Sequence, residues 1–176
     1  MQAYDLVVIG AGSIGVPAAL AAARQGLRTL VLDGAASPGQ GENKMAIGGV
    51  RATHSDPAKI QVCLRSLRIF KEWEAREGDD LGYRQGGYLF PVYVEAHEAM
   101  LTGLLGIQKA HGLNIDWIGP ERIAEIVPGI RTQDLRGGTY SPEDISVSPL
   151  RCTSAFAFAA RRAGAEFRFG ERVTGI

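Results

Sequence analysis

The stretch VVIGAGSIGVPAALAAARQGLRTLVLD, residues 7–33, decides the fold. It begins inside an apolar run rich in Val and Ile, Ala3–Ile9, that stops at a cluster of glycines. An alanine-rich segment, Ser13–Gln25, leads to a second apolar run, RTLVLD at 28–33. Short continuous apolar runs bounded by turn residues read as strands buried on both faces of a parallel sheet. The alanine-rich segment reads as a helix whose small side chains let it lie close to that sheet, with Gly26 placed to cap it. Strand, helix and strand in this order predict a βαβ unit with a right-handed crossover.

Gly10-Ala11-Gly12-Ser13-Ile14-Gly15 fits GxGxxG at the junction of the first strand and the helix. Such a junction needs Gly10 for a tight turn, Gly12 for close approach of backbone to a pyrophosphate, and Gly15 for packing of the helix on the strand. Ser13 and Ile14 lie where the helix N-terminus turns its free amides and partial positive charge toward phosphate. Asp33 ends the second strand, where a carboxylate accepts hydrogen bonds from ribose hydroxyls and repels a 2′-phosphate. NADP is thereby disfavoured, leaving NAD or FAD.

Composition narrows the partner. Nineteen basic and nineteen acidic side chains cancel, and without a basic patch the chain has no electrostatic footprint for nucleic acid or an anionic membrane. A small molecule is the expected partner. Cys63 and Cys152 form no CxxC, and His54, His97 and His111 share no metal-ligand spacing, so neither a disulfide nor a metal site is expected. No apolar run reaches the ~20 residues of a membrane span, and no charged leader precedes the first strand. The reading is a soluble, cytoplasmic protein.

Beyond Asp33 lies GAASPGQGENKMAIGGVRATHS, a glycine-studded loop without periodicity, and loops of that length inside compact domains are functional or disordered. A helix is predicted over 57–77, capped by Ser55 or Asp56, with Ile60, Cys63, Leu64, Leu67, Phe70 and Trp73 on one face. YRQGGYLFPVY, 83–93, reads as a strand or a hairpin around Gly86-Gly87. Glu95–His111 reads as an amphipathic helix with Met100, Leu104, Leu105 and Ile107 inside. A short strand at 115–118, a helical turn in PERIAEIVPG, a turn-rich GGTYSPEDISVSP, a helix from Pro149 to about Ala163, and strands AEFRF and RVTGI complete the pattern. Glu143 and Asp144 read as turn residues.

An NAD-binding half would pass quickly to a third strand through another crossover helix; the long glycine loop stands there instead. That organisation resembles the FAD-dependent family of D-amino-acid oxidase, glycine oxidase and sarcosine oxidase, nearest its sarcosine oxidase beta-subunit branch. YDLVVIGAGSIGVPAALAAARQGLRTLVLD resembles the family's FAD fingerprint, although the acid there is more often glutamate. GQGENKMAIGGVRATHSDP is similar to its segment running past the flavin to the substrate, GGYLFPV to the first strand of its substrate domain, and GGTYSPEDISVSPLRCTSAFAFAARRAGAEF to its return into the FAD domain.

The resemblance implies an α/β fold with a Rossmann-like FAD-binding βαβ unit and the beginning of an α+β substrate domain. It divides the chain into 1–82 (FAD-binding, first part), 83–140 (substrate portion) and 141–176 (return to the FAD domain). It implies the N-terminal half of a longer protein, truncated; were these 176 residues the whole protein, weak FAD binding and little or no turnover would be expected. Gly41, Asn43, Lys44, Met45, Ala46, Ile47 and Gly48 become flavin-loop candidates, or else a polar surface loop. Val173 matches a strand position whose backbone meets the adenine. Arg51 matches an arginine that holds the substrate carboxylate, a task suited to a planar guanidinium, or else is a surface arginine. His54, three residues on, acts near the flavin or holds the loop, or else is a solvated loop histidine. The implied reaction is FAD-dependent oxidation of the C–N bond of an amino acid or N-methyl amino acid such as sarcosine to an imine, with other subunits of a heteromeric oxidase or dehydrogenase as conceivable partners. The alternatives are an NAD-dependent dehydrogenase and a non-catalytic, truncated nucleotide-binding product.

Overall fold

A computed structural model describes residues 3–175. The elements in order are β1 (Leu6–Ile9), α1 (Gly15–Arg24), β2 (Thr29–Asp33), a 3-10 turn (Glu42–Met45), β3 (Gly49–Val50), α2 (Pro57–Glu77), β4 (Arg84–Gln85), β5 (Tyr88–Val92), α3 (Glu95–Ala110), β6 (Asp116–Ile118), α4 (Pro120–Ile126), β7 (Gly137–Ser141), β8 (Ile145–Ser146), α5 (Pro149–Arg162) and β9 (Glu166–Phe169). They form two compact units. One holds the described residues up to Gly48, Trp73–Gly82 and those from Val147 onward; the other holds Gly49–Glu72 and Tyr83–Ser146.

The first unit is built on the βαβ segment. β1, β2 and β9 run parallel in the order β1-β2-β9, with Val8 beside Val31 and Val31 beside Phe167. Against that row pack Val16 and Ala19 of α1 and Ala157 of α5, joined by Ala11, Phe156 and Phe169. Alanine allows the two helices to approach each other and the sheet closely, and removing such apolar surface from water is the main stabilising term. Trp73, at the C-terminal end of α2, stacks on Phe156 with ring centroids 3.9 Å apart. At the base of the sheet Asp5 accepts from both the backbone N–H (2.8 Å) and the guanidinium (2.9 Å) of Arg28, and those bonds hold its carboxyl down at about 2.

Three expectations change here. β1 is four residues long rather than running from Ala3. Its two faces differ, with Leu6 and Val8 partly covered while Val7 and Ile9 stay exposed. The continuous apolar run reads as burial on both sides, but in β1 only the face beneath α1 and α5 is covered, although Leu30, beside Val7 on the other face, is buried. RVTGI forms no ladder over its described residues, and Ile176 lies outside them. A β-branched run becomes a strand only where a sheet edge takes up its backbone groups.

The second unit contains two antiparallel three-stranded sheets, ordered β3-β8-β4 and β5-β7-β6. The 83–93 stretch is not a hairpin. β4 and β5 join different sheets across Gly86-Gly87, and Gly87 takes φ +74°. GGTYS, expected as turn, is the central strand β7. A Cβ at Gly138 would lie 2.5 Å from the Phe90 carbonyl oxygen, and one at Gly137, where φ is +142°, 2.6 Å from the Trp117 ring. The glycines that read as a turn are there because neighbours press on the strand.

α2 keeps its predicted span and is capped by Asp56, whose Oδ1 accepts the Lys59 N–H at 2.9 Å. The expected inner face of α3 holds only in part, with Leu104 and Leu105 half-buried. Met100 is 56% exposed and Ile107 is also exposed, while Gln108 is buried. Among the described residues no helix is long and apolar enough to cross a membrane, and no cluster of His, Cys, Asp or Glu is able to hold a metal ion.

Candidate FAD groove and arginine segment

The glycine turn of the first unit is fixed from two sides. Gly10 takes φ +103° and donates its N–H to the Leu32 carbonyl at 2.8 Å. The next amide, Ala11, donates to Asp33 Oδ2 at 2.6 Å, and Gly39 N–H returns from the following loop to the Ala11 carbonyl at 2.9 Å. Asp33 Oδ1 accepts the Ala35 N–H at 2.7 Å. A groove of about 360 Å³ results, lined by Ile9–Gly15, Asp33 and Gln40–Asn43.

The groove suits the diphosphate and ribose of a dinucleotide. A Cβ on Gly12 would meet no atom within 4 Å, so the space beside this backbone is open to a ligand, and any side chain there would fill it. A Cβ on Gly15 would lie 2.0 Å from the Gly10 carbonyl oxygen and 3.1 Å from Val8 Cγ1; this is the close helix-to-strand approach that glycine permits. A carboxylate offers about four acceptor positions. Each Asp33 oxygen uses one on a loop amide, which leaves others for ribose hydroxyls. The first amides of a helix lack intrahelical partners; in α1 the Val16 N–H is already given to the Gly12 carbonyl at 3.1 Å and Pro17 has none, so the amides left to face a phosphate are those of the turn before it.

The remaining candidates of this unit separate. Ser13, Ile14 and Gly41 line the groove, and Ile14 is 86% exposed. Asn43 also lines it, but its side-chain amide is committed to α5, donating to the Pro149 carbonyl at 2.9 Å and to Thr153 Oγ1 at 2.6 Å. Lys44, Met45, Ala46 and Ile47 are exposed and lie outside the groove lining. Gly48 sits at a backbone crossing, where a Cβ would come 2.0 Å from the Val147 carbonyl oxygen. Val173 is half-buried, just after a segment in which Glu171 N–H reaches the Asp33 carbonyl at 3.1 Å. Gln40 and Glu42, also lining, carry no sequence signal for that role.

In the second unit, Arg51 lies between two aromatic faces, its guanidinium carbon 5.6 Å from the Tyr88 ring centroid and 5.3 Å from that of Phe90. Its Nη1 donates to the Thr53 carbonyl and, at 3.0 Å, to Thr53 Oγ1. Nε and Nη2 have no partner among the described residues. His54 is half-buried; burial, then the Arg51 and Lys59 charges, push its imidazole below the usual value. Asp144, read from sequence as a turn acid, is fully buried and accepts the Ala52 N–H at 3.0 Å. Burial pushes its carboxyl up, opposed by the Ala52 amide, Ser141 and Arg51. A cavity of about 900 Å³ in this unit is lined by α2 side chains including Arg65, Arg68 and Lys71 and by none of the predicted site residues.

Known proteins agree with this geometry. The mitochondrial dimethylglycine dehydrogenase of Mus musculus is 27% identical over 176 residues, covering 98% of this chain and 20% of its own length. Monomeric sarcosine oxidase of Bacillus sp. (strain B-0618) is 24% identical, covering 97% of this chain and 44% of its own. The crystal structure of L-proline dehydrogenase from P. horikoshii matches with a TM-score of 0.93 at 29% identity, over 99% of this chain and 46% of that one. The chain thus spans less than half the length of each, and the expected α/β fold with its nucleotide-binding unit is the fold found. Residues 5–176 match the DAO family, FAD dependent oxidoreductase, so FAD rather than NAD is the cofactor and the chain belongs to that family.

Proposed function

We propose that this chain supplies the FAD groove and the carboxylate anchor of an enzyme that oxidises the C–N bond of an amino acid or N-methyl amino acid to an imine. FAD, when bound, supplies the hydride acceptor. Gly10, Gly12, Ser13 and Gly15 would present backbone to its diphosphate, and Asp33 would hold its ribose.

The observation that carries the substrate assignment is the state of Arg51. Two aromatic faces and Thr53 fix its guanidinium while the Nε and Nη2 edge stays uncommitted. Such an edge takes a carboxylate with two parallel hydrogen bonds. The names of the similar proteins, which include dimethylglycine dehydrogenase and monomeric sarcosine oxidase, support a substrate of this class.

The test is reduction of the FAD-loaded chain by sarcosine and by dimethylamine, which lacks the carboxylate, followed at the flavin's visible bands. Bleaching by sarcosine that slows at least about tenfold in Arg51→Ala, with dimethylamine inert, supports the assignment; the loss corresponds to one charge-assisted pair. Equal bleaching by wild type and variant overturns it.

A further inference from the structure

Residues 51–54 belong to no helix or strand, yet their backbone is held from two distant elements. Ala52 N–H donates to Asp144 Oδ1 at 3.0 Å, from the turn between β7 and β8. The His54 carbonyl accepts Gln108 Nε2 at 3.1 Å, from α3. Between these points His54 N–H closes a three-residue turn on the Ala52 carbonyl at 2.8 Å, and Thr53 takes the Arg51 guanidinium. Asp144 also reaches the other side of Arg51, since its own carbonyl accepts the Gly87 N–H at 2.9 Å, one residue before Tyr88. One residue therefore fixes both the backbone beside the guanidinium and the backbone beside the ring on which it lies.

Asp144 is 0% exposed and Gln108 4% exposed; Gln108 Oε1 is buried without a hydrogen-bond partner, and Asp144 Oδ2 is buried beside the Ser141 hydroxyl without a well-formed hydrogen bond to it. An unpartnered buried polar atom costs free energy. An apolar side chain at either place would escape that cost but would leave the Ala52 amide or the His54 carbonyl orphaned.

From this we infer that Asp144 and Gln108 are positioning residues for the carboxylate anchor, setting Arg51 against Tyr88 and Phe90 so that its free edge is preorganised. The inference rests on the reading of Arg51 as the carboxylate holder. Preorganisation raises affinity by removing the cost of ordering the donor at the moment of binding.

The test compares the full chain with Asp144→Asn, Asp144→Ala and Gln108→Leu. Two quantities are followed by NMR: exchange of the Ala52 amide, and the shift of the Arg51 Nε–H resonance during titration with sarcosine. Asp144→Ala is expected to speed Ala52 exchange and weaken sarcosine binding, each by at least about tenfold, the scale of an orphaned buried donor. Asp144→Asn retains the acceptor and is expected to restore both to within about threefold of wild type, which a purely electrostatic role for the carboxylate would not allow. If Asp144→Ala does not fold, Gln108→Leu decides, with sarcosine binding weakened at least about threefold while Ala52 stays protected. Unchanged binding in a folded Asp144→Ala or Gln108→Leu variant, or an Asp144→Asn variant as weak as Asp144→Ala, overturns the inference. A wild-type Arg51 resonance indifferent to sarcosine removes Arg51 from the substrate site; the clamp is then judged by exchange, and unaltered Ala52 exchange in Asp144→Ala overturns it.

Discussion

The Asp33 carboxylate accepts the Ala11 amide at 2.6 Å, so the acid that ends β2 closes the glycine turn that follows β1. With its other oxygen on the Ala35 amide at 2.7 Å, the same side chain holds the two loops that form the groove. Asp33→Asn is nearly isosteric but turns one acceptor into a donor facing an N–H. It is therefore expected to lower stability by about 1–3 kcal/mol, the cost of an unsatisfied backbone donor, measured by urea unfolding. A stability equal to wild type would mean that these bonds contribute nothing.

Gly12 and Gly15 are expected to fail differently. Gly12→Ala meets no atom within 4 Å and should leave the unfolding midpoint unchanged while weakening FAD at least about tenfold, by filling the phosphate approach. Gly15→Ala drives a Cβ to 2.0 Å from the Gly10 carbonyl oxygen and should cost about 1–3 kcal/mol of stability, as overpacking does. Paired unfolding and flavin-fluorescence titrations separate the two.

The same local logic explains which parts of the molecule were legible in sequence. Within the βαβ unit, Gly10, Gly12, Gly15 and Asp33 sit within 24 residues of one another, and their spacing alone specifies a turn, a helix start and a strand end. β7 was hidden because Gly137-Gly138 reads as a turn until Trp117 and Phe90 are seen pressing on it. Asp144 was hidden for another reason: its partner, Ala52, is 92 residues away, and a carboxylate in SPEDIS carries the composition of a solvated turn. Gln108 broke the apolar face assigned to α3 because its value lies in the His54 carbonyl it reaches. Long-range hydrogen bonds to irregular backbone leave no periodic trace.

Protonation of the second unit gives a signed prediction. The Asp144 carboxyl is raised in the folded state by burial, so its stabilising contribution is full below the unfolded value of about 3.9 and is lost as pH rises through the higher folded value. Asp144→Asn should therefore gain stability relative to wild type as pH rises from 4 to 7. His54 has the opposite sense. Its folded value is lowered, first by burial, so stability falls as pH drops below about 6.5, where the unfolded chain takes the proton first. Melting temperatures of wild type and Asp144→Asn at pH 4, 5.5 and 7 check both; a constant difference between them would contradict the Asp144 assignment.

The cysteines should be inert in the folded chain. Burial pushes the Cys152 thiol up to about 11 and also raises Cys63, and the thiolate is the reactive form. Iodoacetamide at pH 7.5 is expected to leave Cys152 unmodified over a period that labels the urea-unfolded chain fully, as read by peptide mass spectrometry. Rapid native labelling of Cys152 would show that α5 is not packed as described.

The central claim is that the groove between the glycine turn and Asp33 holds FAD. Its most direct measurement is equilibrium titration of the purified, monodisperse chain with FAD and with NAD, followed by the visible absorption of the fraction that elutes with protein. The account predicts flavin bands co-eluting with wild type, undisplaced by NAD and lost in Gly12→Ala at an unchanged unfolding midpoint. A folded, colourless wild-type chain that takes up NAD instead would contradict it.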